Sequence, residues 1–138
     1  MSLVLAGFLA LAGCGSDETK GTSSDGDTKK QQYVIGITQF APHPSLDAAT
    51  EGFKKALADQ GFKEGDNVKF DPQNAGGDQT NAATIATNFV GDKVDLIFAN
   101  ATPSAQAALQ ATKDIPIIFT SVTDPIGAGL VEAFDKPG

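Results

Sequence analysis

Apolar positions fall into three regimes along the chain. Residues 3 to 12, LVLAGFLALA, form one continuous apolar run. Residues 15 to 32, GSDETKGTSSDGDTKKQQ, carry no apolar period. From Tyr33 onward, short apolar runs alternate with stretches in which apolar residues recur every three or four positions. The short runs predict buried strands and the spaced stretches predict amphipathic helices.

The first strand is YVIGIT (33–38), followed by a helix in SLDAATEGFKKALADQG. Leu46, Ala49, Phe53, Ala56 and Leu57 share one face of that helix, and Gly61 supplies its left-handed stop. NVKF (67–70) is a short second strand. Asp78 then caps a helix whose buried face is Ala82, Ile85, Ala86 and Phe89, and which Gly91 ends. VDLIFA (94–99) is the third strand. A third helix carries Ala105, Ala108, Leu109 and Thr112 on one face, with Thr102 as its cap and Pro103 as its first residue. IPIIFT (115–120) is the fourth strand, and GLVEAF (129–134) begins a possible fourth helix. Strands alternating with helices at this spacing indicate a parallel sheet with right-handed crossovers. Strands that are apolar on both faces require helices on both faces. The fold class is therefore α/β, a doubly wound parallel sheet.

In such sheets ligands bind outside the carboxyl ends of the strands. That rule selects four loops: Gln39–Ser45, Asn74–Asp78, Asn100–Ser104 and Ser121–Pro125. They are rich in amides, hydroxyls and carboxylates. The loops at the opposite edge, FKEGDN and GDK, read as solvated turns.

Composition narrows the chemistry. The chain has 138 residues, 41% of them hydrophobic, which suits one domain with a packed core. Its net charge of −7 opposes a nucleic-acid surface, which needs a basic stripe. Every basic residue is Lys, so a ligand carboxylate cannot be held by a bidentate guanidinium. Lys, hydroxyls or backbone N–H groups must do that work. One His and one Cys cannot build a zinc site, and no cofactor is implied. Neither G-x-G-x-x-G nor G-x-x-x-x-G-K-[ST] occurs where a nucleotide cradle needs it.

The amino-terminal run is too short to span a bilayer and fits the apolar region of an export signal. It leads into Leu11-Ala12-Gly13-Cys14, which resembles a bacterial lipobox, although Met1-Ser2 supplies no basic start. The expected organisation is a lipoprotein signal peptide over 1–13, a disordered tether over 14–32 beginning at lipidated Cys14, and a folded unit over 33–138. The tether would reach roughly 20–25 Å from the membrane surface.

Two chemistries fit the four loops. A hydrolase would use Ser104 or Ser121 with His43 and Asp124, but no G-x-S-x-G elbow surrounds either serine. A binding site needs less. The first turn of the third helix offers free N–H groups and the positive end of the helix dipole. The hydroxyls of Thr102, Ser104, Ser121 and Thr123 flank it, and Asp124 adds a negative charge. A positive helix end suits a carboxylate and Asp124 suits an ammonium, so together they describe an amino-acid zwitterion. Each of these groups taken alone is an ordinary cap or turn residue. His43, the only His, is either a ligand donor or a solvated loop residue. Phe40 is either a cleft aromatic or part of the core.

Four phrases in order carry a resemblance: IGITQFAPHPSLDAATEGFKKAL, NAGGDQTNAATIATNFV, DLIFANATPSAQAAL and IPIIFTSVTDPIGAGLV. Residues 33 to 138 resemble the ABC-transporter substrate-binding lipoproteins of the tryptophan or aromatic amino-acid type. The resemblance implies a type I periplasmic-binding-protein fold, in which two lobes close on a ligand and dock on a membrane permease. It implies an extracytoplasmic, lipid-anchored, monomeric protein with an amino-acid ligand and no catalytic residues. Matching the family's cleft loops by position implies ligand contacts at Gln39, Phe40, His43, Asp78, Gln79, Thr102, Pro103, Ser104, Ser121, Thr123 and Asp124. Members of the family are about twice as long or more, so the chain is expected to make one amino-terminal lobe, which alone binds ligand weakly or not at all. An extracytoplasmic Ser/His hydrolase is the alternative reading. A sensor lobe of a transcription regulator is opposed by the lipobox.

Overall fold

The computed structural model describes residues 31–138. The expected export signal, Cys14 and most of the expected tether lie outside the described residues. Among the described residues four strands and three helices alternate: β1 (Tyr33–Gln39), α1 (Pro44–Asp59), β2 (Val68–Asn74), α2 (Gln79–Gly91), β3 (Leu96–Asn100), α3 (Thr102–Ala111) and β4 (Ile117–Thr120). All strands pair in parallel, in the order β2-β1-β3-β4. The α/β doubly wound class is thus the observed one.

Strand alternation divides the core in two. Ile35 and Ile37 of β1, Val68 and Phe70 of β2, and Phe98 of β3 pack with Phe53 and Leu57 of α1. The Phe53 and Phe98 rings stack with centroids 4.0 Å apart. On the other face Ile97 and Ala99 meet Ala82, Ile85 and Phe89 of α2 and Ala105 and Ala108 of α3. The predicted face of α2 is buried at all four positions. On α1, Ala56 is exposed, and Thr50 is the only buried residue of that helix. Gly36 lies directly under the Phe89 ring, where an added Cβ would sit 2.7 Å from a ring carbon. Only glycine allows α2 to approach β1 this closely.

Helix ends follow the expected devices with one exchange. Gly61 (φ 93°) ends α1, where Phe62 N–H bonds Leu57 O at 2.9 Å and Gly61 N–H bonds Ala58 O at 3.0 Å. This is a Schellman stop. At the end of α2 the left-handed position falls to Lys93 (φ 54°), while Gly91 is the last helical residue. The left-handed stop thus falls two residues later than the glycine signal suggests.

Two further expectations are corrected. Strand β2 runs on through Asp71, Pro72, Gln73 and Asn74. Pro72 is tolerated because β2 is an edge strand whose outer side has no ladder to lose. GLVEAF forms no helix: Gly129 takes φ 73°, and the segment turns through 131–136 with a single Ala133–Lys136 bridge. Six residues hold too little apolar period to nucleate a helix across a left-handed glycine. Among the described residues no helix is long and apolar enough to cross a membrane.

Candidate functional site

A parallel sheet with this strand order places the amino termini of all three helices at its carboxyl edge. It also sets a switch point between β1 and β3. The chain leaves β1 toward α1 on one face and leaves β3 toward α3 on the other. The two outgoing loops diverge and leave a crevice, the position where open α/β sheets bind ligands.

The loops at this edge are tied to one another by main-chain bonds. Phe40 N–H donates to Asn100 O at 3.2 Å. Ala75 N–H donates to Gln39 O at 2.9 Å, and Gly77 N–H donates to Phe40 O at 2.7 Å. Ala101 N–H reaches Thr120 O at 3.0 Å. Gly76 and Gly77 (φ 65° and 80°) give the β2–α2 loop the turn that brings Gly77 to Phe40. The ladder therefore continues past the strand ends and fixes the edge.

Below the switch point lies a buried polar network. Asn100, with no exposed surface, donates its amide to Leu46 O at 2.7 Å and to Thr50 Oγ1 at 3.0 Å. Thr50 Oγ1 donates to Gln39 Oε1 at 3.1 Å. Gln39 Nε2 donates to Asp47 Oδ1 at 2.7 Å and to Ala41 O at 2.9 Å. Asn100 Oδ1 is buried without a partner among the described residues. A groove of about 300 Å³ opens beside this network, lined by Gln39, Asp47, Thr50, Glu51 and Gln73 among others.

The three helix starts differ. His43 is the N-cap of α1, and its Nδ1 accepts Ser45 N–H at 3.2 Å. A neutral ring whose Nδ1 accepts must carry its proton on Nε2, so the outward nitrogen is a donor. Asp78 caps α2, its carboxylate accepting Asn81 N–H at 2.9 Å, and Gln79 is the first helical residue. At α3 the expected cap is corrected. Ala101 occupies the N-cap with φ 89° and ψ 154°, no side chain caps the helix, and Thr102 and Pro103 are its first two residues. The strained turn at Ala101 displaces Thr102 one position into the helix. Pro103 has no N–H, so in this first turn the half-buried Thr102 presents its N–H at the edge, while Ser104 is covered.

The remaining candidates are placed as follows. Gln39 is buried and its amide is spent inside the network. Phe40 is half-buried against the core on the α2–α3 side. Ser104 is fully buried, main chain included, and its Oγ accepts Thr38 Oγ1–H at 3.3 Å. Ser121 (φ 58°) and Thr123 are exposed. Asp124 is exposed and Oδ1 accepts Gly127 N–H at 2.8 Å, closing a tight turn that Gln106 joins through Ala128 O at 3.3 Å. The structure thus unites the β1, β2 and β3 loops by direct bonds. The β4 loop is joined through the Ala101–Thr120 rung and the Gln106–Ala128 bond. Sequence reasoning missed Asp47 and Thr50, because a buried threonine on a helix carries no local signal. Among the described residues no group of His, Cys, Asp and Glu could hold a metal ion.

Comparison with known proteins completes the description. The ABC transporter substrate binding protein family matches residues 34–138. A tyrosine-binding protein of Clostridioides difficile (strain R20291) is 54% identical over the whole of this chain, which spans 41% of that protein's length. The ligand-free, open structure of a substrate binding protein with adhesive properties from Clostridium difficile superposes with TM-score 0.75 and 57% identity, over 77% of this chain and 36% of that one. An ABC domain from Streptococcus pneumonia in complex with L-Trp gives TM-score 0.74 and 45% identity, over 78% and 36% of the two chains.

Proposed function

The chain belongs to the ABC transporter substrate-binding protein family, and from that premise we propose that its carboxyl edge captures the zwitterionic head of an aromatic amino acid, tyrosine or tryptophan. The observation that carries this reading is the uncapped start of α3 at the switch point. Its Thr102 N–H group and the helix dipole suit a carboxylate without any arginine. The Thr102 hydroxyl, the His43 Nε2–H, the Ser121 and Thr123 hydroxyls and the exposed Gln79 supply further polar contacts. Asp124 suits the ammonium group. Phe40 and Pro103 give the apolar walls, while Asp78 and Gln39 hold the loops. The tyrosine-binding name of one relative and the L-Trp bound to another support this choice of ligand.

In this reading the protein is the extracytoplasmic receptor of an importer. It passes its ligand to a membrane permease and is held near the membrane by lipid on Cys14. The folded unit acts as one lobe of a monomeric two-lobed receptor. The hydrolase alternative is weakened by its own residues. Ser104 is buried with its hydroxyl engaged by Thr38, and the Nδ1 of His43 is occupied as a cap. The relatives are substrate-binding proteins.

A nuclear magnetic resonance titration with tyrosine, tryptophan and phenylalanine tests the proposal, since it also reads millimolar affinities. The free amino acids are expected to shift the Thr102 and Ser104 amides, and their methyl esters to bind about tenfold more weakly, a difference of ~1.4 kcal/mol. If none of the three amino acids moves those amides, the reading fails.

A further inference from the structure

We infer that Thr50, which lies a turn and a half inside α1 and touches none of the groups assigned to the ligand head, is a positioning residue for the binding edge; the inference rests on the proposed ligand reading. Its hydroxyl stands at the centre of the buried network. It receives the Asn100 amide at 3.0 Å and gives its own proton to Gln39 Oε1 at 3.1 Å. Asn100 is the last residue of β3 and leads directly into Ala101 and the open start of α3. Gln39 is the last residue of β1 and leads into Phe40 and the His43 loop. One hydroxyl therefore joins the strand ends on either side of the switch point.

The bonds around it explain why this matters. Asn100 also holds Leu46 O in the first turn of α1, and Gln39 also holds Asp47 in that turn. The angle at which α1 leaves the edge, and so the place of its His43 cap, is set by the same two amides. Thr50 supplies the acceptor for one Asn100 bond and the donor for the Gln39 Oε1 bond, and so helps to fix both rotamers. Valine has the same shape as threonine and supplies neither. Loss of the hydroxyl would leave the Asn100 amide and Gln39 Oε1 each short of one partner, beside the unpartnered Asn100 Oδ1. Thr50 is the only buried residue of α1, so the network holds the helix at this edge where apolar burial does not.

The test compares Thr50→Val, Thr50→Ser and Thr112→Val in this chain. Thr112 is also buried and its hydroxyl also makes two bonds, both accepted from the Asp114 and Ile115 amides, but it lies at the far end of α3. Thr50→Val is expected to weaken tyrosine or tryptophan binding about tenfold and to speed hydrogen exchange of the Phe40 and Asp47 amides relative to those of α2. Thr50→Ser keeps the hydroxyl and is expected to restore both. Thr112→Val is expected to lower stability without moving affinity. Unchanged affinity in Thr50→Val, or an equal loss in Thr112→Val, would overturn the inference. If the unsubstituted chain binds no aromatic amino acid, the ligand reading fails on its own. The exchange measurement then decides the positioning role, and uniform acceleration across α2 as well as the edge counts against it.

Discussion

At the start of α2 the Asp78 carboxylate accepts the Asn81 N–H, whereas at the start of α3 no side chain does so and Ala101 holds φ 89° and ψ 154°. Both helices begin at the same sheet edge, and both pack against the same face. Asp78 closes its helix end with a residue type that favours caps. Ala101 sits in a backbone region that is essentially restricted to glycine, at a cost of order 1–3 kcal/mol. A strained residue persists only where its surroundings over-determine it. Here the Ala101 N–H is held by Thr120 O and its carbonyl by the Ala105 N–H. The sealed end is a structural device. The end kept open at a backbone cost is the one that faces the switch point.

The largest effect is expected where that strain is increased. Ala101→Val adds a β-branched side chain to a left-handed backbone and should lower stability by about 2–3 kcal/mol, measured by urea denaturation. Ala101→Gly should do the opposite and raise stability by about 1 kcal/mol, the relief of strain outweighing the added freedom of the unfolded chain. If Ala101→Gly destabilises the chain, the turn is not strained in the sense argued, and the contrast with α2 loses its basis.

The difference between the two helix starts was only half legible in the sequence. Asp78 is a recognisable cap, and the apolar faces of α2 and the four strands follow from their periods. The carboxyl-edge loops could be chosen from chain order alone. At α3, however, Thr102 followed by Pro103 is a cap signal by composition, and nothing local reveals that an alanine will take the glycine-like turn. That conformation is imposed by the neighbouring strand through Thr120. The same reason hid Thr50 and the burial of Ser104, whose partners Asn100 and Thr38 lie 50 and 66 residues away in the chain. The apparent helix at GLVEAF failed for a local reason instead, because Gly129 takes a left-handed φ of 73° at its start.

An intermediate effect is expected at the sealed end. Asp78→Ala removes the acceptor of the Asn81 N–H and should cost about 1 kcal/mol of stability. Asp78→Ser should recover most of it, since a hydroxyl can accept the same bond. Because the Asp78 carboxylate serves its own helix, its loss should leave the position of the Thr102 and Ser104 amides in the spectrum unchanged. A shift of those amides would mean that the two helix starts are coupled rather than separate.

The smallest effect sharpens the comparison most. Thr102 has the residue type of a cap but stands one position inside α3 and makes no capping bond. Thr102→Ala should therefore change stability by less than about 0.5 kcal/mol, as for a surface change away from any cap. Ligand affinity should fall in the same variant, because the hydroxyl beside the open N–H groups is lost. A cap and a ligand contact predict opposite pairs of outcomes for this one substitution. Stability lost with affinity kept would return Thr102 to the role its sequence suggests. Stability kept with affinity lost would mean that α3 starts without a cap because its free groups are reserved for something outside the chain.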